Sequence, residues 1–575
     1  MLISVGYFTS LLQALGLVQG SYKPAPNLPL TGNGTIAYIP FHDLFGTSNN
    51  TDATFDGSAS GGNCTVVPYD APPITDQDFA PFESTIATIY RYRRQQSVNL
   101  GSWFVQENWM VPSLFTCASG PQEAEIDVAS GWGSVDDARA VLERHWDTFI
   151  NQTDFDYLAS IGINTVRLPI GYWTLGPSFV TDTPFEPYAS VYTNSWARVV
   201  RTINMASRSG IGVLMDLHGA VGSQNGQAHS GISDGQTRMF NETGNVNKTL
   251  HVLTSLAQRL QNVTNVVGIE ILNEPENVPE LLEFYETAIT LMGQQVSPGT
   301  SFPLYIHDAF DLERFSDFIS NRTDFIVEDH HSYFVFTSQD NSEPASQHTS
   351  DVEGPIDEEL FQAGSKARGN LVIDEWSCAL TDDSLSTQAN PNEARREFCT
   401  GQMNVYTNTS AGWGFWSYYK EGCETDPGWC FKSAVGQSLP ATFFSYDKAP
   451  PTDLAQRQRL YIAIESMAIP SDSDILKNFD NVTLAQENQG HGGGTPGNTT
   501  VAQQQSLVKG YSDGFLTAKI FAQQGWSRLG FKGQYVEDSL RELSGSIISG
   551  NEDYYRNGFD VGLAGGEAFV VATLA

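Results

Sequence analysis

Between about residues 98 and 470 the chain alternates two textures. Short runs in which Val, Ile and Leu occupy successive positions are followed by longer stretches whose apolar residues recur every three or four positions. The runs are Val98–Leu100, Asn164–Ile170, Gly212–His218, Gly268–Asn273, Leu304–Phe310, Phe325–His331, Leu371–Trp376 and Gly412–Tyr418. Continuous apolar runs of this length fit parallel strands buried on both faces, and the intervening stretches, such as Asp136–Ala159, Thr193–Ser209 and Pro279–Gln295, fit amphipathic helices. Eight strand–helix units predict an α/β fold, a (β/α)8 TIM barrel over residues 96–470.

The flanks read differently. Residues 1–20 are apolar up to Val18 and end on small residues, which predicts a signal peptide, although the segment has no Lys or Arg at its start; an ordinary buried N-terminal helix is the competing reading. Residues 21–95 are rich in Pro, Gly, Asn and Asp, with short apolar pieces at 36–41 and 65–67, and are expected as an N-terminal extension packed on the barrel. Residues 471–501, which include Gly490–Gly497, predict a linker or long loop, and residues 502–575 a C-terminal helical extension. Within that extension Tyr511–Phe515 and Tyr555–Phe559 share a Tyr-x-x-Gly-Phe pattern, expected to bring two helices close at the glycines.

Polar residues collect at the carboxyl ends of the apolar runs: Arg167, His218, Asn273 and Glu274, His307 and Asp308, His331 and Tyr333, Glu375, and Trp416. One such residue is a loop or cap; seven runs in succession are not, because strand carboxyl ends converge on the active site of a TIM barrel. Three other patterns carry less. Gly492–Gly497 matches a dinucleotide fingerprint but follows no strand and contains a proline. Gly231–Gly235 matches a nucleophile elbow but follows a polar loop. Asp329-His330-His331 lacks the helical spacing of zinc ligands, and adjacent histidines on a strand face opposite ways, so neither a metal nor a cofactor is expected.

Glu274 and Glu375, on the fourth and seventh strands, face each other across a barrel mouth. Retaining glycosidases need two such carboxyls, one to protonate the leaving oxygen and one to attack the anomeric carbon. Glu274 has no cation beside it in sequence and is expected as the protonated acid; Glu375 must be ionised, with Arg167 and Tyr333 as its donors. Asn273 is placed to bond a sugar 2-hydroxyl, and Trp416 to offer a face to a pyranose ring.

Composition narrows the partners. Of 575 residues 31 are Lys or Arg and 66 Asp or Glu, a net charge of −35, which disfavours nucleic acid and anionic membrane. No second long apolar run predicts a membrane span. Asn-x-Ser/Thr acceptors begin at Asn33, Asn49, Asn63, Asn151, Asn241, Asn247, Asn262, Asn321, Asn408, Asn481 and Asn498, more than chance alone supplies, which favours a glycosylated surface. Six cysteines without a CxxC pair favour disulfides, and Cys423 and Cys430 are near enough to close one local loop. A secreted, extracellular or wall-associated monomer is expected.

Taken together, Val98–Phe104, Arg167–Trp173, Asp216–Ala220, Gly222–Gly226, Asn273–Pro275, Asp329–Tyr333, Asp374–Ser377 and Gly414–Trp416 resemble fungal exo-β-1,3-glucanases (glucan 1,3-β-glucosidases) of glycoside hydrolase family 5. The resemblance implies a (β/α)8 barrel and a retaining double displacement, with Glu274 as acid/base and Glu375 as nucleophile. It places Arg167, His218, Asn273, His331, Tyr333 and Trp416 around the sugar, Glu107 on the terminal glucose, and Phe336 in an aromatic entrance clamp. After Gln224-Asn225-Gly226 similar glucanases often carry Phe-Asp; here Gln227 and Ala228 stand in their place, which leaves exo mode and β-1,3 preference open. The expected activity is release of glucose from β-glucan, with transglycosylation. The alternatives are a related glycosidase on β-1,6-glucan or glycosylated small molecules, and a non-catalytic wall protein that binds glucan.

Overall fold

Eight strands, β1 (Gln95–Asn99), β2 (Thr165–Gly171), β3 (Gly212–Gly219), β4 (Val266–Glu270), β5 (Leu304–His307), β6 (Ile326–Ser332), β7 (Leu371–Trp376) and β8 (Gly412–Phe415), pair in sequence order, all parallel, and β8 closes on β1. This computed structural model describes Cys64, Val66 and residues 68–297, 301–451, 453–477, 479, 499–543 and 548–574. The chain divides into two compact units, Met1–Thr65 and Val66–Ala575, and all eight strands belong to the second. The expected signal peptide and the apolar piece at 36–41 lie outside the described residues, as does 65–67 apart from Val66, which is in no strand.

Every residue of β2, β3, β4, β5, β7 and β8 is buried. That is why the strands read as unbroken apolar runs rather than alternating ones. The (β/α)8 barrel expected from the sequence is the observed fold, and all eight runs hold a strand. Several boundaries move, two of them with a clear consequence. β1 starts at Gln95, ahead of the apolar residues, because its amide nitrogen donates to Ala411 O beyond the foot of β8. β4 ends at Glu270, so Asn273 and Glu274 stand in the loop above it.

The stretch 136–159 is two helices, Val135–Thr148 and Gln152–Ser160. Asn151 breaks it: its side chain accepts from Thr153 N while Asp154 returns a bond to Asn151 N, a capping box that starts a new helix. The stretches 193–209 and 279–295 hold the helices Ser195–Arg208 and Leu281–Gly293. A helix that the sequence did not signal, Ser84–Tyr92, lies in the Pro- and Asp-rich extension; its buried Arg91 donates to Gln261 O and Ser301 O.

Residues 472–477 are helical, a correction to the expected linker or loop: Ser471 Oγ accepts from Asp474 N, and Ile475 is fully buried. The glycine-rich run after it lies outside the described residues. Helices Val501–Gln523 and Glu552–Leu574 run parallel in backbone contact. A Cβ on Gly514 would stand 2.1 Å from Phe559 O, one on Gly558 2.1 Å from Leu507 O, and one on Gly562 2.0 Å from Tyr511 O. The repeated Tyr-x-x-Gly-Phe is therefore a packing device, each glycine admitting the other helix's backbone. Cys378–Cys399 and Cys423–Cys430 are disulfides, the latter the local loop expected from the spacing. Among the described residues no helix is long and apolar enough to cross a membrane.

Candidate active site

Arg167, near the middle of β2, points into the barrel and is fully buried. Its Nε donates to Glu270 Oε2 (2.6 Å), Nη1 to Glu375 Oε1 (2.6 Å) and Asn99 Oδ1 (3.0 Å), and Nη2 to Asn273 Oδ1 (2.7 Å), with Asp216 Oδ2 at 3.1 Å. One guanidinium thus spans carboxylates from β3, β4 and β7, which hold it charged well above the ordinary arginine value against the cost of burial.

Glu375 also accepts from the Tyr333 hydroxyl at Oε2 (2.8 Å). Glu274 stands opposite. His331 Nδ1 lies 2.7 Å from Glu274 Oε1 and 3.4 Å from Glu375 Oε2, so these two carboxyl oxygens are at most about 6.1 Å apart. Glu274 has φ +41°, in the left-handed region that non-glycine residues rarely enter, a local strain of about 1–3 kcal/mol that clusters at functional sites. Its main-chain oxygen accepts from Asn225 Nδ2 (2.9 Å), which ties the strained turn to the loop after β3.

The surrounding side chains set the protonation order. Burial drives Glu274 upward, opposed by His229 and Arg167 and helped by Glu270 and Asp308. Burial also raises Glu375, to about 7, with His331, Arg167 and Tyr333 pulling it down and Glu274 pushing it up. The value corrects the expectation of a simply ionised nucleophile: one cation shared among three carboxylates does not outweigh desolvation. Glu375 accepts from a guanidinium and a phenol. Glu274 faces only the imidazoles of His331 and His229, each lowered by burial to about 4 and so neutral.

Of the other residues singled out in the sequence, His218 leans its Nδ1 on Asp216 Oδ2 (2.7 Å) and its ring lies parallel to Trp416, 5.7 Å between centroids. Among the described residues His218 Nε2 and Asn273 Nδ2 are buried without a hydrogen-bond partner. Glu107, raised to about 8 by burial, accepts from Trp109 Nε1 at 2.8 Å. Phe336 is 71% exposed at the rim beside Tyr333 and Trp429. Gln227 is exposed, and Ala228 opens the short helical turn that carries His229. The structure thus brings Arg167, His218, Asn273, Glu274, His331, Tyr333, Glu375 and Trp416 to one mouth, with Glu107 beside them and Phe336 at the edge.

Sequence reasoning passed over Asp216, Glu270, His229, Trp109 and Trp429. Asp216 stands two positions before His218 and so on the same strand face, a period-two signal that was available. His229, Trp109 and Trp429 sit on loops and have none. Two triads, Glu274, His307 and His331, and Glu270, Asp329 and His331, are compact enough to share a cation. Both draw on His331, whose Nδ1 already meets Glu274 and whose Nε2 is 3.3 Å from Asp329 Oδ2, beside the charge of Arg167.

Comparison with known proteins gives the family. The cellulase (glycosyl hydrolase family 5) profile matches residues 136–298. "Glucan 1,3-beta-glucosidase 3" of Schizosaccharomyces pombe is 34% identical over 374 residues, 64% of this chain and 76% of that protein. The chain belongs to glycosyl hydrolase family 5. As a member of that family it is a glycosidase. "Glucan 1,3-beta-glucosidase" of Blumeria graminis is 33% identical over 310 residues, 52% of this family 5 chain and 68% of its own length. The crystal structure of a rutinosidase from Aspergillus niger aligns with a TM-score of 0.45 at 17% identity, over 60% of this chain and 97% of that one.

Proposed function

We propose that this family 5 enzyme is a retaining β-1,3-glucosidase that removes glucose from the non-reducing ends of β-glucan. The observation that carries the reading is the pair Glu274 and Glu375 on one imidazole nitrogen, no more than about 6.1 Å apart at their nearest oxygens, with Arg167 on Glu375 alone. Direct attack asks for carboxyls ~5–5.5 Å apart, whereas an interposed water asks for ~6.5–9.5 Å. The names of the fungal relatives support the substrate class.

Glu274 gives its proton to the glycosidic oxygen while Glu375 attacks the anomeric carbon from the opposite face. The bond to the leaving sugar breaks and a glycosyl ester to Glu375 forms. Esterification removes the Glu375 charge, so Glu274 can ionise with one like charge fewer beside it. Glu274 then takes a proton from the entering water, which frees the sugar, and Glu375 returns to Arg167 and Tyr333. Asn273 Nδ2 and His218 Nε2 meet sugar hydroxyls, Trp416 covers the ring, and Glu107 holds the closed end. The steps use only the chain's own groups and water; a sugar hydroxyl in place of water gives transglycosylation.

A second reading rests on Gln227 and Ala228. An exposed glutamine where similar glucanases place an aromatic leaves one side of the entrance open, and this favours a related β-glycosidase with β-1,6 or small-molecule substrates. Secretion as a glycosylated monomer is part of the proposal. The described acceptors Asn151, Asn241, Asn247, Asn262, Asn321 and Asn408 are all exposed, and two disulfides staple the loops beyond β7 and β8.

The test is Glu375→Ala on laminarin and on an activated aryl glucoside. Turnover is expected to vanish, and azide to restore it in part with an α-glycosyl azide as product; undiminished turnover would overturn the assignment. In the wild type, glucose alone from the first time point supports exo attack, and faster release from pustulan than from laminarin supports the second reading.

A further inference from the structure

A cavity of about 420 Å³ lies at the end of the barrel opposite the catalytic mouth. Its floor is the amino-terminal side of the sheet: Arg93 and Gln96 at the start of β1, Asn164 before β2, and Gly210 before β3. Its roof comes from the helices after the barrel, with Arg457 and Tyr461 on Leu454–Glu465, and Gln523 and Trp526 at and beyond the end of Val501–Gln523. The size is that of a small-molecule site.

The lining runs against the rest of the chain. In a protein of net charge −35 it holds two arginines and no carboxylate. Arg93 is only 3% exposed, and the groups it meets are neutral: the carbonyl oxygens of Asn164 and Gly210, and the Tyr90 ring, 4.4 Å from its guanidinium carbon. Those carbonyls take its Nη atoms; among the described residues its buried Nε has no acceptor, and neither has Gln523 Nε2. Two buried donors without acceptors, beside a positive charge without a counter-charge, are costly to maintain around an empty space. A bound oxyanion supplies both the acceptors and the charge. The remaining wall is of another kind: Tyr461, Trp526 and Phe444 are aromatic, and Gln96, Asn164 and Ser445 form a polar patch tied together at Gln96 Oε1, which accepts from Asn164 Nδ2 and Ser445 Oγ.

We propose that this cavity is a second ligand site, for a pyranose that carries a phosphate or a carboxylate. The anionic group sits on Arg93 and Arg457, and the ring lies against Tyr461 and Trp526. The helices beyond the barrel thereby acquire a role, because without them the cavity has no roof. The site is independent of the chemistry proposed at the other end.

Titration calorimetry on the full chain decides it, with glucose 6-phosphate, glucuronate, glucose and inorganic phosphate as probes. At least one of the two anionic sugars is expected to bind one-to-one and at least tenfold tighter than glucose, and which of them does so identifies the anion. Arg457→Gln, an exposed position on its helix, is expected to weaken that binding roughly tenfold, the loss of a charge-assisted contact, while kcat and glucose affinity stay unchanged. Gln523→Leu is the second variant, with the same expectation. Inorganic phosphate binding as tightly as glucose 6-phosphate would overturn the sugar assignment. Anionic sugars no tighter than glucose, or indifferent to both variants, would overturn the site.

Discussion

Tyr333→Phe isolates one hydrogen bond of the proposed catalytic pair. The phenol donates to Glu375 Oε2 at 2.8 Å, while its ring packs against Phe336 and Trp429, contacts that phenylalanine keeps. The hydroxyl favours the ionised carboxylate, so its removal must raise Glu375. A bond to a charged group is worth about 1.5–3 kcal/mol, which at about 1.36 kcal/mol per unit corresponds to roughly one to two pH units. Burial, His331, Arg167 and Glu274 all weigh more on Glu375 than Tyr333 does, so the lower end applies: from about 7 to near 8. The acid limb of kcat/KM on an aryl glucoside, measured from pH 4 to 9, is therefore expected to move up by about one unit. The base limb, on which Glu274 weighs most, moves less, and the maximum falls as the window narrows. Tyr406→Phe is the control, since its buried hydroxyl bonds Ser332 Oγ and not the pair. An acid limb that stays put or moves down would refute the assignment of Glu375 as the group that must be ionised.

Three further outcomes are expected from the same structure. Glu125 is fully buried, accepts from Tyr192 and from Gln106 N, and is raised by burial to about 8. A carboxyl raised on folding stabilises fully below its unfolded value and loses that contribution as pH rises toward its folded one. Glu125→Gln should therefore flatten the fall in melting temperature between pH 5 and 8, by on the order of 4–5 kcal/mol at most; parallel profiles would contradict this. Gly562→Ala, which puts a methyl 2.0 Å from Tyr511 O, should lower thermal stability by about 1–3 kcal/mol in calorimetry and leave kcat/KM at 25 °C unchanged. Trp429, in contact with Trp109, Tyr333 and Phe336, is the centre of the rim aromatics, so Trp429→Ala should raise KM for laminarin oligosaccharides about tenfold with kcat little altered. An unchanged KM would place the sugar elsewhere.

The barrel is legible in the sequence because its strands are buried on both faces, so each one prints an apolar run that no surface element imitates. The chemistry is legible because it sits where those runs end. Legibility fails where a residue's setting is not periodic. His229, Trp109 and Trp429 come from loops whose course depends on the finished barrel. The helix Ser84–Tyr92 is hidden in a stretch rich in Pro and Asp, although Ile86, Ile89 and Tyr92 recur at helical spacing. The stretch at 472–477 reads as linker because of the glycines beyond it, although Ser471 already marks a cap.

Ionisation is the property that sequence neighbours describe least well. The rule that the acid lacks a cation and the nucleophile has donors assigns roles to Glu274 and Glu375 from their neighbours alone. It misses that Arg167 is divided among Asp216, Glu270 and Glu375, three carboxyls on three strands. With one positive charge for three acids, burial lifts Asp216 to about 7, Glu375 to about 7 and Glu270 upward as well. Each proton that this group keeps alters the field at the others, so the limbs of the activity profile belong to the cluster rather than to single residues. Asp216→Asn, which leaves Arg167 to fewer partners, should then lower the Glu375 limb even though Asp216 touches neither catalytic carboxyl, and an unmoved limb would mean that the guanidinium is not shared in the way its distances imply.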